Sequence, residues 1–276
     1  QNLQNQLDLV YAQVARQHQV RQAEIFYKLT LFKDAFKVKQ VSLSENELTL
    51  LDTQNKILAV LDIKTKAIKA ISGKHFIGEN SQIASIPAWV FLLTNNNLVI
   101  IDKQTGKELD QANFSKINTD KIIGYSNNLY VLDKARGQVW RFRGTQSGLD
   151  KAEAFFDEAI DMKEINTLML DGSVWLLHET GGMSRYTMGL KDGYYPNQNL
   201  DKPLHHPSTF YTDEHCSNVY ILDHNNQRIV VMSKNGEYEG QYVWDDLRYT
   251  QQFVVSETLG KILVATGDTI YQIPLQ

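Results

Sequence analysis

A chain of 276 residues with 42 % hydrophobic and 22 % charged side chains has the makeup of a folded globular protein that builds its core without covalent staples, which excludes a disordered or collagen-like polymer. Its 28 basic and 32 acidic residues leave a net charge of −4, so no global positive field gathers phosphates and nucleic acid is excluded as an expected partner. The single cysteine, Cys216, forbids an intramolecular disulfide, and no apolar run reaches the roughly 20 residues that span a bilayer.

The chain opens on Gln1 rather than Met, as expected of a mature product or an excised fragment whose anchor or targeting segment lies upstream. Residues 1–24 place Leu3, Leu7, Val10 and Val14 at three- and four-residue spacing on a Gln-rich background, which predicts a helix with one narrow apolar face. So polar a helix is marginal alone, and it is expected either to dock on the rest of the chain or to continue a coiled stalk. Residues 25–276 form the second unit, opening with an extended run, "IFYKLTLF", over 25–32.

From there the chain repeats itself. Six segments align on a central apolar run: "LTLLDTQNKILAVLD" from Leu48, "WVFLLTNNNLVIID" from Trp89, "LYVLDKARGQVWRF" from Leu129, "VWLLHETGGMSRYTM" from Val174, "VYILDHNNQRIVVM" from Val219 and "KILVATGDTIYQIPL" from Lys261. With Leu50, Phe91, Val131, Trp175, Tyr220 and Leu263 as equivalents, the steps are 41, 40, 44, 45 and 43 residues, the period of a four-stranded propeller blade. Each unit reads as an antiparallel meander, with Gly- and Asn-bearing turns such as "ARG", "TGG", "HNN" and the Asn-Gly of 235–236. The sixth repeat runs out at Gln276 after three strands, so the 25–32 run is expected to supply its outer strand and close the ring, hiding the edges of an open toroid. The fold expected is therefore all-β, a six-bladed β-propeller closed by its N-terminal strand and preceded by one α-helix.

Tyr220, Asp223, Asn225, Asn226, Arg228, Ile229, Asn235 and Gly236, in "NVYILDHNNQRIVVMSKNGEYEGQY", resemble the repeat of NHL-type and related TolB-like six-bladed propellers. Blade three keeps Tyr130, Asp133, Gly137 and Val139, whereas blades two, four and six depart from the pattern, with Thr94 and His178 in place of the Asp. "NLYVLDKARGQVWRFRGTQSG", "DGSVWLL" and "LDKPLHHPSTFYTDEHCSNVYILDHNNQRIVV" are similar to the C-terminal propeller of bacterial proteins that carry an N-terminal PP2C-like phosphatase domain. That resemblance covers about 25–276 and implies an extracytoplasmic sensing or binding module, periplasmic or on the cell surface, belonging to a larger anchored protein. No phosphatase motif is present.

Asp223 and Arg228 flank a turn, where an Asp fastens turn amides and an Arg packs its stem over the neighbouring blade. His205, His206, His215 and Cys216 are zinc-ligand types, but a strand from about Ser208 to Asp213 separates the first pair from the second by about 20 Å, too far for metal bonds of about 2 Å. The inner-strand starts expected at Lys39, Gln82, Lys121, Ser208 and Gln251 offer no carboxylate-Asn-His set for a channel metal, and G-x-S-x-G, H-E-x-x-H, P-loop and C-x-x-C are all absent. No cofactor or resident metal is expected. Two long connections are richer: 189–208 carries Tyr194, Tyr195, His205 and His206, and 243–250 carries Trp244, Arg248 and Tyr249. In a propeller they share a face with the turns bearing Arg136 and Arg228, and an aromatic- and Arg-bearing loop face is a recognition surface. The sequence therefore reads as a non-catalytic module for a protein, peptide or cell-envelope glycan. Its rivals are a metal-dependent lactonase- or lyase-like enzyme and a spacer on a helical stalk.

Overall fold

The computed structural model describes residues 2–71, 74–95, 97–114, 116–145, 148–195, 200, 202–205 and 207–276. Six antiparallel sheets follow one another along the chain, with innermost strands Gln40–Ser44, Gln82–Ser85, Lys121–Tyr125, Ile165–Leu170, Thr209–Tyr211 and Gln252–Ser256. Each innermost strand touches the next and the sixth touches the first, so the sheets are the blades of a closed six-bladed β-propeller. Among the described residues no helix is long and apolar enough to cross a membrane.

The middle strands read as continuous apolar runs because both of their faces are covered. In blade five, Val219 and Ile221 pack with Trp175 and Leu177 of blade four, while Tyr220 and Leu222 join Val254 and Leu263 of blade six. Blade one divides the same way, with Leu48 and Leu50 toward blade six and Leu51 and Val60 toward blade two. The two-residue alternation of a strand thus becomes an alternation between two cores.

Buried carboxylates fasten three of the turns. Asp52 accepts from the backbone N–H groups of Lys37 at 2.7 Å and Asn55 at 2.9 Å, and Asp133 accepts from the Arg136 N–H and Trp140 Nε1, both at 3.1 Å. Gly137 completes the blade-three turn at φ 60°, where an added Cβ would stand 2.2 Å from the Ile160 carbonyl oxygen.

The N-terminal segment differs from a helix over 1–24. Helix α1 covers Asn2–Val14, Arg16 leaves the helical path at φ 42°, and Gln17–Gln19 (β1) pairs in parallel with 241–243 as a fifth strand of blade five. Glu24–Lys28 (β2) then lies antiparallel to 269–272 as the outer strand of blade six, whose other three strands come from the C-terminus. The extended run expected over 25–32 stops at Lys28, and Leu29–Leu31 wind into a 3-10 turn with Leu29 buried between the first and last blades. The apolar stripe of α1 does not dock on the propeller: Leu3, Leu7, Val10 and Val14 are all exposed, Leu3 at 80 % and Val14 at 78 %.

Candidate functional site

The loop face of blades four to six carries most of the candidate residues, but in differing roles. Tyr194 and Tyr195 lie in the outer strand of blade four, Leu190–Tyr195, and not in a loop. Tyr195 is a packing residue: its ring stacks on Trp175 at 5.6 Å, the Arg185 guanidinium lies over both rings, and the ring edge rests on Gly236 of blade five. Tyr194 remains half exposed, edge-on to His178, with the Lys191 ammonium 5.1 Å from its ring centre. Burial and the nearby Lys191 push the His178 pKa down, which favours a neutral ring.

His205 is exposed, its ring Nδ1 bonded to the Asn225 amide and its backbone N–H 3.4 Å from Asp223. His206 lies outside the described residues. His224 wedges between the two connections, its Nε2 2.9 Å from the Thr250 carbonyl and its Nδ1 3.3 Å from Ser208 Oγ. Beside Thr250 a 3-10 turn, Asp245–Tyr249, is pinned by Leu247 and by the preceding Trp244, which is buried edge-on against Tyr271 at 5.1 Å. That anchoring displays the next two residues: Arg248 is exposed with its guanidinium 5.1 Å from the Tyr249 ring centre, and Tyr249 is 60 % exposed.

The two turn arginines do not join this surface. Arg228 is 2 % exposed. Its Nε donates to Asp223 Oδ2 at 3.0 Å and its Nη1 to Gln241 Oε1 at 2.8 Å, while Nη2 donates to the carbonyls of Lys202 and Pro203. The connection between blades four and five covers it, so it is corrected from a contact residue to a buried fastener. Arg136 is half exposed, paired with Asp133 at 2.7 Å, and walls a polar cleft between blades two and three with Asn80, Asn95, Lys116 and Asn118. That cleft lies blades away from Arg248.

The central channel is a cavity of about 270 Å³ lined by all six innermost strands. The strand starts read as Lys39, Ser208 and Gln251 fall one residue later, at Gln40, Thr209 and Gln252. Pairing with the second strand sets the equivalence: Gln40 faces Leu51, Gln82 faces Leu93, Lys121 faces Leu132 and Gln252 faces Ala265. Each glutamine bridges to the innermost strand of the next blade. Gln40 takes the Ile83 N–H at 2.8 Å and donates to the Ile83 carbonyl at 3.0 Å, Gln82 takes the Ile122 N–H at 3.3 Å and donates to the Asp120 carbonyl at 3.3 Å, and Gln252 takes the Val41 N–H at 3.0 Å. This ladder escapes a reading of single repeats, because its signal is a polar residue at one register position in every blade.

The opposite mouth is acidic, formed by Glu45, Asp213 and Glu214 with His215. There the Tyr211 hydroxyl donates to Asp213 at 2.8 Å, and burial together with Glu214 pushes the Tyr125 pKa up to about 12. His205 and His215 stand at opposite ends of the inner strand of blade five. Among the described residues no group of three or more His, Cys, Asp or Glu side chains is placed to hold a metal ion. Cys216 is buried, and burial with the nearby Asp213 carboxylate pushes its thiol pKa far up, which disfavours the thiolate.

A closed ring of six blades around a lined channel defines the class, a six-bladed β-propeller. In sequence the chain matches no family model and no curated protein. In structure it is similar to PorZ, an essential bacterial surface component of the type-IX secretion system of Porphyromonas gingivalis, at 14 % identity and a TM-score of 0.53 over 87 % of this chain. It spans 31 % of the length of that chain. It is also similar to a chain of the nidogen/laminin complex at 12 % identity and a TM-score of 0.56, covering 78 % of this chain and 82 % of that one. A chain of the Kuenenia stuttgartiensis hydrazine synthase matches at 9 % identity and a TM-score of 0.55, over 88 % of this chain and 96 % of that one. At these identities the likeness is one of fold.

Proposed function

We propose that the propeller is a non-catalytic recognition module that binds a protein or peptide on the loop face of blades four to six. The observation that carries this reading is the Arg248–Tyr249 pair, held outward by the burial of Trp244 and Leu247 beneath it. A rigidly presented Tyr beside an Arg is the side-chain chemistry in which binding energy concentrates, since little rotamer freedom remains to be lost on contact. His205 and Asn225 extend the surface along the neighbouring turn, and Tyr194 extends it from the outer strand of blade four. Tyr195, Arg228 and Arg136 fall outside it. A chain of the nidogen/laminin complex among the similar folds supports a protein partner, and a bacterial surface component of a secretion system supports an extracytoplasmic setting. The NHL-like repeat and the likeness to phosphatase-linked propellers point to the same setting, with a glycan of the cell envelope as the alternative ligand.

A photo-cross-linking residue placed at 249 is expected to give a discrete protein adduct in cells of the source organism, weakened by Arg248→Ala. The same residue at 188, an 83 % exposed position in the hairpin on the opposite face, is expected to give none. Equal adducts from both faces, or none from 249, overturn the assignment. A second reading, a scaffold assembled through its N-terminal helix, is favoured by the uncovered stripe of α1.

A further inference from the structure

We infer that the central channel is a binding site for a small monocarboxylate with an apolar body, its carboxylate held by the Lys121 ammonium. The register that equates Gln40, Gln82 and Gln252 puts a lysine at the same position in blade three. A lysine carries no acceptor, so it cannot take a backbone N–H from the next blade as those glutamines do. Among the described residues its ammonium has neither a hydrogen-bond nor an ion-pair partner, and it lines the channel. Burial alone, with no neighbouring charge contributing, pushes its pKa down to about 8. A recessed cation without a carboxylate is unfavourable, and the ring supplies a neutral alternative at three equivalent positions. A residue that breaks a local rule against the stability of its own fold marks a functional position.

The lining sets the ligand class. Among the described residues that line the channel Lys121 is the only lysine or arginine, so one carboxylate satisfies its ammonium and a dianion would bring an unmatched second charge beside it. Ile123, Met169, Phe210 and Phe253 present apolar wall to the rest of the molecule. The carboxylates Glu45, Asp213 and Glu214 belong to turns at the far mouth, an inner strand of about five residues and therefore roughly 15 Å away. They repel an anion there, so it arrives through the loop face, beside Lys121.

The test uses acetate, butyrate and hexanoate with the whole chain, with inorganic phosphate and hexanol as controls, read by titration calorimetry and by protection of Lys121 from an amine-acylating reagent mapped by mass spectrometry. Affinity is expected to rise from acetate to hexanoate, and hexanoate is expected to slow acylation of Lys121 and of no other lysine. Lys121→Gln, which restores the ladder residue and so folds, is expected to lose more than about tenfold in hexanoate affinity, whereas Lys121→Arg keeps the charge and stays within about threefold of the native chain. Saturable hexanoate binding retained in Lys121→Gln overturns the site. Phosphate or hexanol binding as well as hexanoate overturns the ligand class, and absence of saturation by any of the acids overturns the inference as a whole.

Discussion

Replacing Arg228 by Ala removes a buried cation from the side of a buried carboxylate. Asp223 Oδ2, Gln241 Oε1 and the carbonyls of Lys202 and Pro203 lose this donor together, and among the described residues Asp223, itself fully buried, keeps the Asn226 amide at 2.8 Å and the His205 N–H at 3.4 Å. Stranding a buried carboxylate in this way costs about 3–5 kcal/mol. Arg136→Ala is the matched control, since it breaks a 2.7 Å ion pair at the equivalent turn of blade three from a half-exposed side chain. Asp133 there retains the Arg136 N–H and Trp140 Nε1, so the loss is about 1 kcal/mol or less. Urea unfolding followed by fluorescence of the buried Trp175 and Trp244 reads both, with stability taken by linear extrapolation. The paired change of Asp223→Leu with Arg228→Met is expected to recover part of the loss, because it removes the charge instead of stranding it. If Arg228→Ala costs less than about 1 kcal/mol, or no more than Arg136→Ala, the buried-fastener reasoning is wrong.

Two further outcomes follow from the cation in the channel and the stripe on the helix. The Lys121 pKa is depressed from 10.5 to about 8, so the folded state bears a penalty below about pH 8 that is relieved as pH rises toward 10.5, where the unfolded chain still holds the proton. Lys121→Gln is therefore expected to be more stable than the native chain by up to ~3 kcal/mol near neutral pH in anion-poor buffer, with an advantage that shrinks above about pH 8, and an advantage flat across that window refutes the linkage. Leu3, Leu7, Val10 and Val14 recur at the four-three-four spacing of a two-helix seam, so the chain is expected to self-associate and to become monomeric with Leu7→Asp and Val10→Asp, as sedimentation would read. A native chain that is monomeric at the highest concentration reached refutes it.

The architecture was legible because a blade is a local object. Its four strands are consecutive, its period survives divergence, and its middle strands are apolar on both faces, so "LYVLD" and "VYILD" announce themselves without long-range information. The site was less legible because it depends on what one blade lays over another. Arg136 and Arg228 occupy similar turns, yet only Arg228 is covered, and the cover is the connection whose Lys202 and Pro203 carbonyls it binds. Tyr194 and Tyr195 are neighbours in a strand, which sends their rings to opposite faces, one toward solvent and one onto Trp175. The glutamine ladder is cross-blade chemistry, and a one-residue error at Gln40 and Gln252 was enough to hide it.

The segment from Gln17 to Lys28 serves two blades, lying beside 241–243 in one and 269–272 in the other. During synthesis it emerges before its partners, so neither of those blades is complete until 241–243 and 269–272 have followed. Until then the intervening blades carry an open ring with unpaired strand edges at both ends. Those edges template pairing with another chain, which puts the hazard of aggregation on stalled or C-terminally clipped products. The joint that closes the ring therefore waits on strands far apart in sequence, and the rate at which those strands find each other sets how long the open edges are exposed.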